Sequence, residues 1–67
     1  MAVARVTELV ASSDKSFDDA VRAGIDRAAK TLRGITGIEV TRQTVKVEKN
    51  KAKEWRVHLS VTFVLEG

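Results

Sequence analysis

Between Lys53 and Leu65, thirteen positions in all, apolar and polar residues alternate almost without interruption. Trp55, Val57, Leu59, Val61, Phe63 and Leu65 share one side. Glu54, Arg56, His58, Ser60 and Thr62 share the other, because successive side chains on a strand project to opposite faces. At ~3.3 Å per residue the segment spans roughly 40 Å, whereas an ordinary strand has only ~5–6 residues. A ribbon of that length outruns what one short helix covers. Its polar side is therefore expected to form a surface for other copies of the chain.

Length sharpens the point. The chain has 67 residues and is expected to form a single domain over 1–67. A domain of this size buries only ~60% of the surface its unfolded chain exposes. Small folds compensate with disulfides, a metal or oligomerisation. This one has no cysteine, which excludes disulfides and thiolate metal sites, and a single histidine, His58, which excludes an imidazole-rich site within one chain. Oligomerisation remains. The net charge of +3 is mild and dispersed, as suits a soluble protein with weak attraction to anions. With no charged, apolar leader and no stretch long enough to span a bilayer, a cytoplasmic location is expected and a membrane partner is not.

Val3 to Val10 reads as a first strand of open phase, since Val6 and Val10 or Val3 and Leu9 could face inward. Ala11 to Ser16 reads as a turn, with Ser16 as N-cap of a helix. Phe17, Ala20, Val21, Gly24, Ile25, Ala28 and Leu32 recur at three- and four-residue steps and form one apolar stripe. Asp18 and Asp19 occupy the first turn, where the helix dipole favours negative charge. The spacings Asp18–Arg22 and Asp26–Lys30 suit i,i+4 ion pairs, and Gly34 suits the position just past the helix end. Ile35 to Glu48 forms a second strand whose apolar phase switches from even (Ile38, Val40) to odd (Val45, Val47), which predicts a bulge near Arg42, Gln43 and Thr44. Lys49 to Lys51 supplies the turn into the long third strand. The fold class is α+β. Its order is β-α-β-β, with a three-stranded antiparallel sheet, the third strand central, packed on one helix over the odd-numbered face.

Enzymatic chemistry finds no support in this pattern. Ser12 or Ser13 with His58 lacks a nucleophile elbow. Gly24, Gly34 and Gly37 form neither a dinucleotide fingerprint nor a phosphate loop. Arg42, Lys46, Lys49, Lys51 and Lys53 cluster around the hairpin and leave a basic nucleic-acid-binding module as one alternative. RNA-binding sheets present exposed aromatic platforms, however, and Phe17, Trp55 and Phe63 all fall at apolar-face positions. Lysines at a hairpin also discourage edge pairing, so nucleic acid is not the expected partner.

Several stretches, in this order and spacing, resemble the dodecin family. They are Glu8-Leu-Val-Ala-Ser-Ser-Asp-Lys-Ser-Phe17, Asp26-Arg-Ala-Ala-Lys-Thr-Leu32, Ile38-Glu-Val40 and Trp55-Arg-Val-His-Leu-Ser-Val-Thr-Phe-Val-Leu-Glu66. The resemblance covers essentially the whole chain. It implies a hollow homododecamer of tetrahedral symmetry that binds or stores a small ligand. In that family the ligand is a flavin, FMN or riboflavin, stacked in pairs between tryptophans of neighbouring subunits. The family's tryptophan falls at position 37, where Gly37 stands, and its glutamine falls at position 56, where Arg56 stands. Glycine has no ring to stack, and a guanidinium donates without accepting, so it cannot pair as an amide does with an isoalloxazine edge. The alternative to flavin is a shell that binds anions, or a divalent or other ion at its symmetry axes. Arg56 and His58, adjacent on the polar side, are candidate anion or interface contacts, since arginine binds phosphate bidentately. Glu39 is a candidate interface partner or, gathered by symmetry, an ion ligand. Trp55 is assigned to packing on the helix side.

Overall fold

The computed structural model describes residues 2–65. Strand β1 (Val3–Ser13), helix α1 (Phe17–Thr31), strand β2 (Ile35–Glu48) and strand β3 (Lys51–Leu65) follow in chain order. The sheet order is β1-β3-β2, and both pairings with β3 are antiparallel. β3 is therefore the central strand, as expected.

Val57, Leu59 and Val61 on β3 are buried to 0–1% exposure under α1. α1 contributes Ala20, Gly24 and Ala28, all buried and spaced four apart. Leu9, Ala11, Phe17, Val21 and Ile38 pack around this core. Burying each aliphatic side chain of β3 contributes roughly 1.5–3 kcal/mol. The small helix residues set how near α1 can lie. A Cβ built on Gly24 would stand 2.5 Å from Leu59 Cδ1 and 3.3 Å from the Ala11 methyl. The absent side chain at Gly24 is what lets Leu59 lie against the helix.

The inward phase of β1, open in the sequence, is odd: Thr7, Leu9, Ala11 and Ser13 are half-buried, while Val6 and Val10 are each 58% exposed. β1 also runs three residues past the expected Val10. Ala11, Ser12 and Ser13 continue the ladder opposite Val57, Arg56 and Trp55, because Ala11 still faces the core. The turn is confined to Asp14 and Lys15. Ser16 is the N-cap, extended at φ −168, and its hydroxyl accepts the Asp19 amide hydrogen at 3.0 Å. Ser13 Oγ donates to the Asp19 carboxylate at 2.6 Å and accepts from the Lys15 amide at 2.9 Å. Asp19 thus ties the strand to the helix as well as complementing its dipole. The i,i+4 spacings at Asp18–Arg22 and Asp26–Lys30 do not close into ion pairs among the described residues. Exposed long side chains gain little from doing so.

Leu32 is the C-cap and donates its N–H to the Ala28 carbonyl at 2.9 Å. Gly34 stands two residues past that cap rather than directly after it, at φ +71. Its carbonyl accepts from the Val64 amide at 3.0 Å, and a Cβ there would sit 3.0 Å from the Val64 carbonyl oxygen. Glycine is needed at this point because the chain turns into β2 while touching β3.

β2 carries the expected phase switch, one residue earlier than its predicted place. The register slips between Val40 and Arg42, so Thr41 is the extra residue, with further irregularities at Ile35/Gly37 and Lys46/Val47. The Thr41 hydroxyl donates to the His58 carbonyl at 3.2 Å, which anchors the bulge to the central strand. Lys49 and Asn50 form the hairpin turn with φ +52 and +62. Positive φ at both central residues matches the twist of a two-residue hairpin.

The molecule measures 51 × 19 × 13 Å. Fifteen helical residues reach only about 22 Å at 1.5 Å per residue. α1 lies over β1 and β3 and meets β2 only marginally. The β2–β3 hairpin therefore projects beyond its cover. No described helix is long and apolar enough to cross a membrane.

Candidate functional site

Residues directly opposed in an antiparallel sheet share a face, so the register gives the composition of the side away from α1. At one level Arg56 lies between Ser12 and Thr44; at the next His58 lies between Val10 and Arg42. Ser60 follows between Glu8 and Glu39, then Thr62 between Val6 and Gly37. All four residues singled out by sequence, Gly37, Glu39, Arg56 and His58, stand on this one face. Among the described residues no element covers it.

The arrangement divides them. His58 adjoins Arg56 along the strand and Arg42 across it. Gly37 and Arg56 lie three levels apart, roughly 20 Å at ~3.3 Å per residue. A single ligand-sized site made from one chain cannot hold both. Arg56 is already engaged: its Nη2 and Nε donate to Glu54 Oε1 at 2.6 and 3.1 Å. Arg56 is exposed and Glu54 partly so, so the pair orients the guanidinium more than it stabilises the fold. At Gly37 a Cβ would meet nothing within 4 Å. The space where the family places an aromatic ring is open.

Trp55, the one tryptophan of the chain, pairs with Ser13 and Val45 on the opposite, helix-side face. It is half-buried there and cannot replace a ring at position 37. Phe63 also lies on the helix side and Phe17 packs on the core, so among the described residues no aromatic side chain stands on the open face. These residues do not fit a tryptophan sandwich of flavin. Among the described residues no three His, Cys, Asp or Glu side chains gather as a metal site. An open groove of about 530 Å³ lies elsewhere, between the end of α1 at Leu32–Gly34 and Phe63–Leu65 of β3, and contains none of the residues singled out by sequence.

Sequence reading missed Glu8, Val6 and Val10 as members of this face, and knew Arg42 only as part of a basic hairpin. Their alternation was visible in β1, but its phase depends on pairing with β3.

Comparison with known proteins agrees with the fold. The family profile described as Dodecin matches residues 3–66. A dodecin of Thermus thermophilus is 36% identical over 64 residues, covering 96% of this chain and 93% of that protein. The solved dodecin of Streptomyces coelicolor superposes with a TM-score of 0.93 at 38% identity, covering 98% of this chain and 94% of that one. A calcium-chelating dodecin of Mycobacterium tuberculosis shares the fold, with a TM-score of 0.83 at 23% identity over 96% of this chain and 91% of that one. With its β-α-β-β order, central long strand and single helical cover, the chain belongs to the Dodecin family.

Proposed function

We propose that this chain is the subunit of a non-enzymatic homododecamer that binds and stores a small ligand, and that the ligand is not a flavin stacked between tryptophans. The observation that carries the reading is the uncovered sheet face, which leaves Val6 and Val10 each 58% exposed on a molecule 51 Å long. A 67-residue chain without disulfides gains the burial it lacks by packing that face against copies of itself. Family membership supports a dodecameric shell.

The replacement of ring and amide by Gly37 and Arg56 supports a flavin-independent ligand. The neighbouring levels of Arg56, His58 and Arg42 favour an anion, such as a phosphate compound held by guanidinium donors. A second reading is favoured by the level beside them, where Glu8 and Glu39 flank Ser60: copies of this row meeting at a symmetry axis would hold a divalent cation through carboxylate oxygens. The basic hairpin as a nucleic-acid module has less support, because no aromatic platform accompanies it.

Light scattering tests the assembly. Twelve copies of a 7.4 kDa chain are expected at roughly 90 kDa, and a monomer at micromolar concentration would refute the shell. The purified protein is expected to be colourless and to leave riboflavin fluorescence unquenched. Calorimetry with inorganic phosphate, calcium and magnesium then discriminates between anion and cation. A gel shift abolished by salt would instead revive nucleic-acid binding.

A further inference from the structure

Thr41 is the residue that β2 inserts between Val40, opposite Leu59, and Arg42, opposite His58. In an unbroken ladder Thr41 would stand opposite His58, and Arg42 would fall opposite Val57 on the helix side. The bulge therefore carries Arg42 across to the open face. There the Thr41 hydroxyl, donating to the His58 carbonyl at 3.2 Å, ties the two strands together. Bulges recur where a strand re-aims one side chain beside a binding site. This one completes a cluster of basic side chains.

Directly opposed side chains stand about 5 Å apart at Cβ, so Arg42 adjoins the His58 ring. Arg56, next but one before His58 on the same strand and face, is about 6.6 Å away. Arg42 is exposed and, among the described residues, forms no ion pair. Glu54 accepts from Nη2 and Nε of Arg56, and the rest of that guanidinium fork stays available to donate. On β1, His58 faces Val10, which brings no charge. Glu8 and Glu39 stand one level further on, around Ser60, and bound the cluster on that side. Ser12 and Thr44, beside Arg56, bring hydroxyls on the other. α1 packs on the opposite face.

Guanidinium groups and carboxylates keep their charge between about pH 5.5 and 8, whereas an imidazole changes its own within that range. A neutral His58 leaves two cations to receive an anion. A protonated His58 makes a third, which without an anion stands beside two like charges. Proton and anion therefore favour each other, and the coupling is reciprocal. We infer that Arg42, His58 and Arg56 form a proton-coupled site for a tetrahedral oxyanion such as a phosphate monoester, in which the imidazole takes up a proton from solvent as the anion binds and returns it as the anion leaves. The inference rests on the anion reading above and adds its control by pH. The site fills on acidification and empties as the pH rises. Glu8 and Glu39 weaken the anion's hold at every pH in this range without changing the direction of the effect.

Calorimetric titration of the assembled protein with sodium sulfate tests it, because sulfate, unlike phosphate, keeps its double charge throughout. The parent is expected to bind sulfate about tenfold more tightly near pH 5.5 than near pH 8, the effect of one added charge close to the ligand. Midway, binding takes up protons, seen as a heat that varies with the ionisation enthalpy of the buffer; this readout needs no variant to fold. His58→Gln is expected to keep the weaker, high-pH affinity at both ends and to take up no proton. His58→Lys, charged at both ends, is expected to bind at both as tightly as the parent does in acid. Arg42→Gln is expected to weaken binding about tenfold at both ends while the pH dependence persists. Equal parent affinity at the two ends, or a pH dependence that survives in His58→Gln, overturns the inference. Binding of neither sulfate nor phosphate at any pH would refute the anion reading itself, so the two failures are distinguishable.

Discussion

Replacing Gly24 by alanine sets two effects of known sign against each other. An exposed helical glycine changed to alanine gains about 0.8–1 kcal/mol, because alanine loses less backbone entropy on folding. At Gly24 the new methyl would meet Leu59 Cδ1 at 2.5 Å and the Ala11 methyl at 3.3 Å. Leu59 is 1% exposed and clustered with Val57 and Ala20, so its end cannot swing into open space. Either Leu59 leaves its rotamer or α1 lifts from β3. Overpacking of this kind costs about 1–3 kcal/mol. The contact outweighs the propensity, and a net loss of about 1 kcal/mol is expected, which lowers the melting temperature by about 4–8 °C for a chain this short. The measurement is thermal unfolding by far-ultraviolet circular dichroism at one fixed protein concentration, because assembly couples to stability. A Gly24→Ala protein that melts at or above the parent temperature would show that α1 does not lie against Leu59 as described.

Three further outcomes follow from the geometry. Gly34→Ala is expected to destabilise by at least about 1–2 kcal/mol, the cost of a side chain in the left-handed region, with the 3.0 Å approach to the Val64 oxygen added; urea denaturation checks it, and an unchanged midpoint would count against the turn. Ser16→Ala removes the acceptor of the Asp19 amide hydrogen and is expected to cost about 0.5–2 kcal/mol, whereas Ser16→Asp should retain most of the stability in the same assay. Gly37→Trp combined with Arg56→Gln restores the ring and the amide at open-face positions, the first where no atom of the same chain lies within 4 Å of a Cβ; riboflavin fluorescence is expected to be quenched on titration, and an unquenched double variant would mean that the surrounding cleft has also diverged.

The open face was legible as far as one strand could reveal it. Alternation in β3 identified Arg56 and His58 as neighbours on the side away from the helix, and periodicity in α1 identified the stripe it buries. Where the reading stopped, the reason was pairing. Val6 and Val10 could not be assigned to either side of β1 until the register set them opposite Thr62 and His58. The switch in β2 was visible as a change of parity, but its place at Thr41 depends on which carbonyl of β3 the threonine hydroxyl reaches. The distance between Gly37 and Arg56 was likewise hidden, because they lie on different strands.

Local chemistry is written residue by residue, so element types, their order, the Ser16 cap and the helix-facing side of β3 could be derived before any coordinate was known. They depend on side chains a few positions apart in one segment. Register, bulge position, the closeness of Gly24 to Leu59 and the sorting of Arg42 beside Glu39 depend on contacts between segments distant in the chain. Those are chosen by the joint packing of three strands under one helix, and only the assembled sheet sets them.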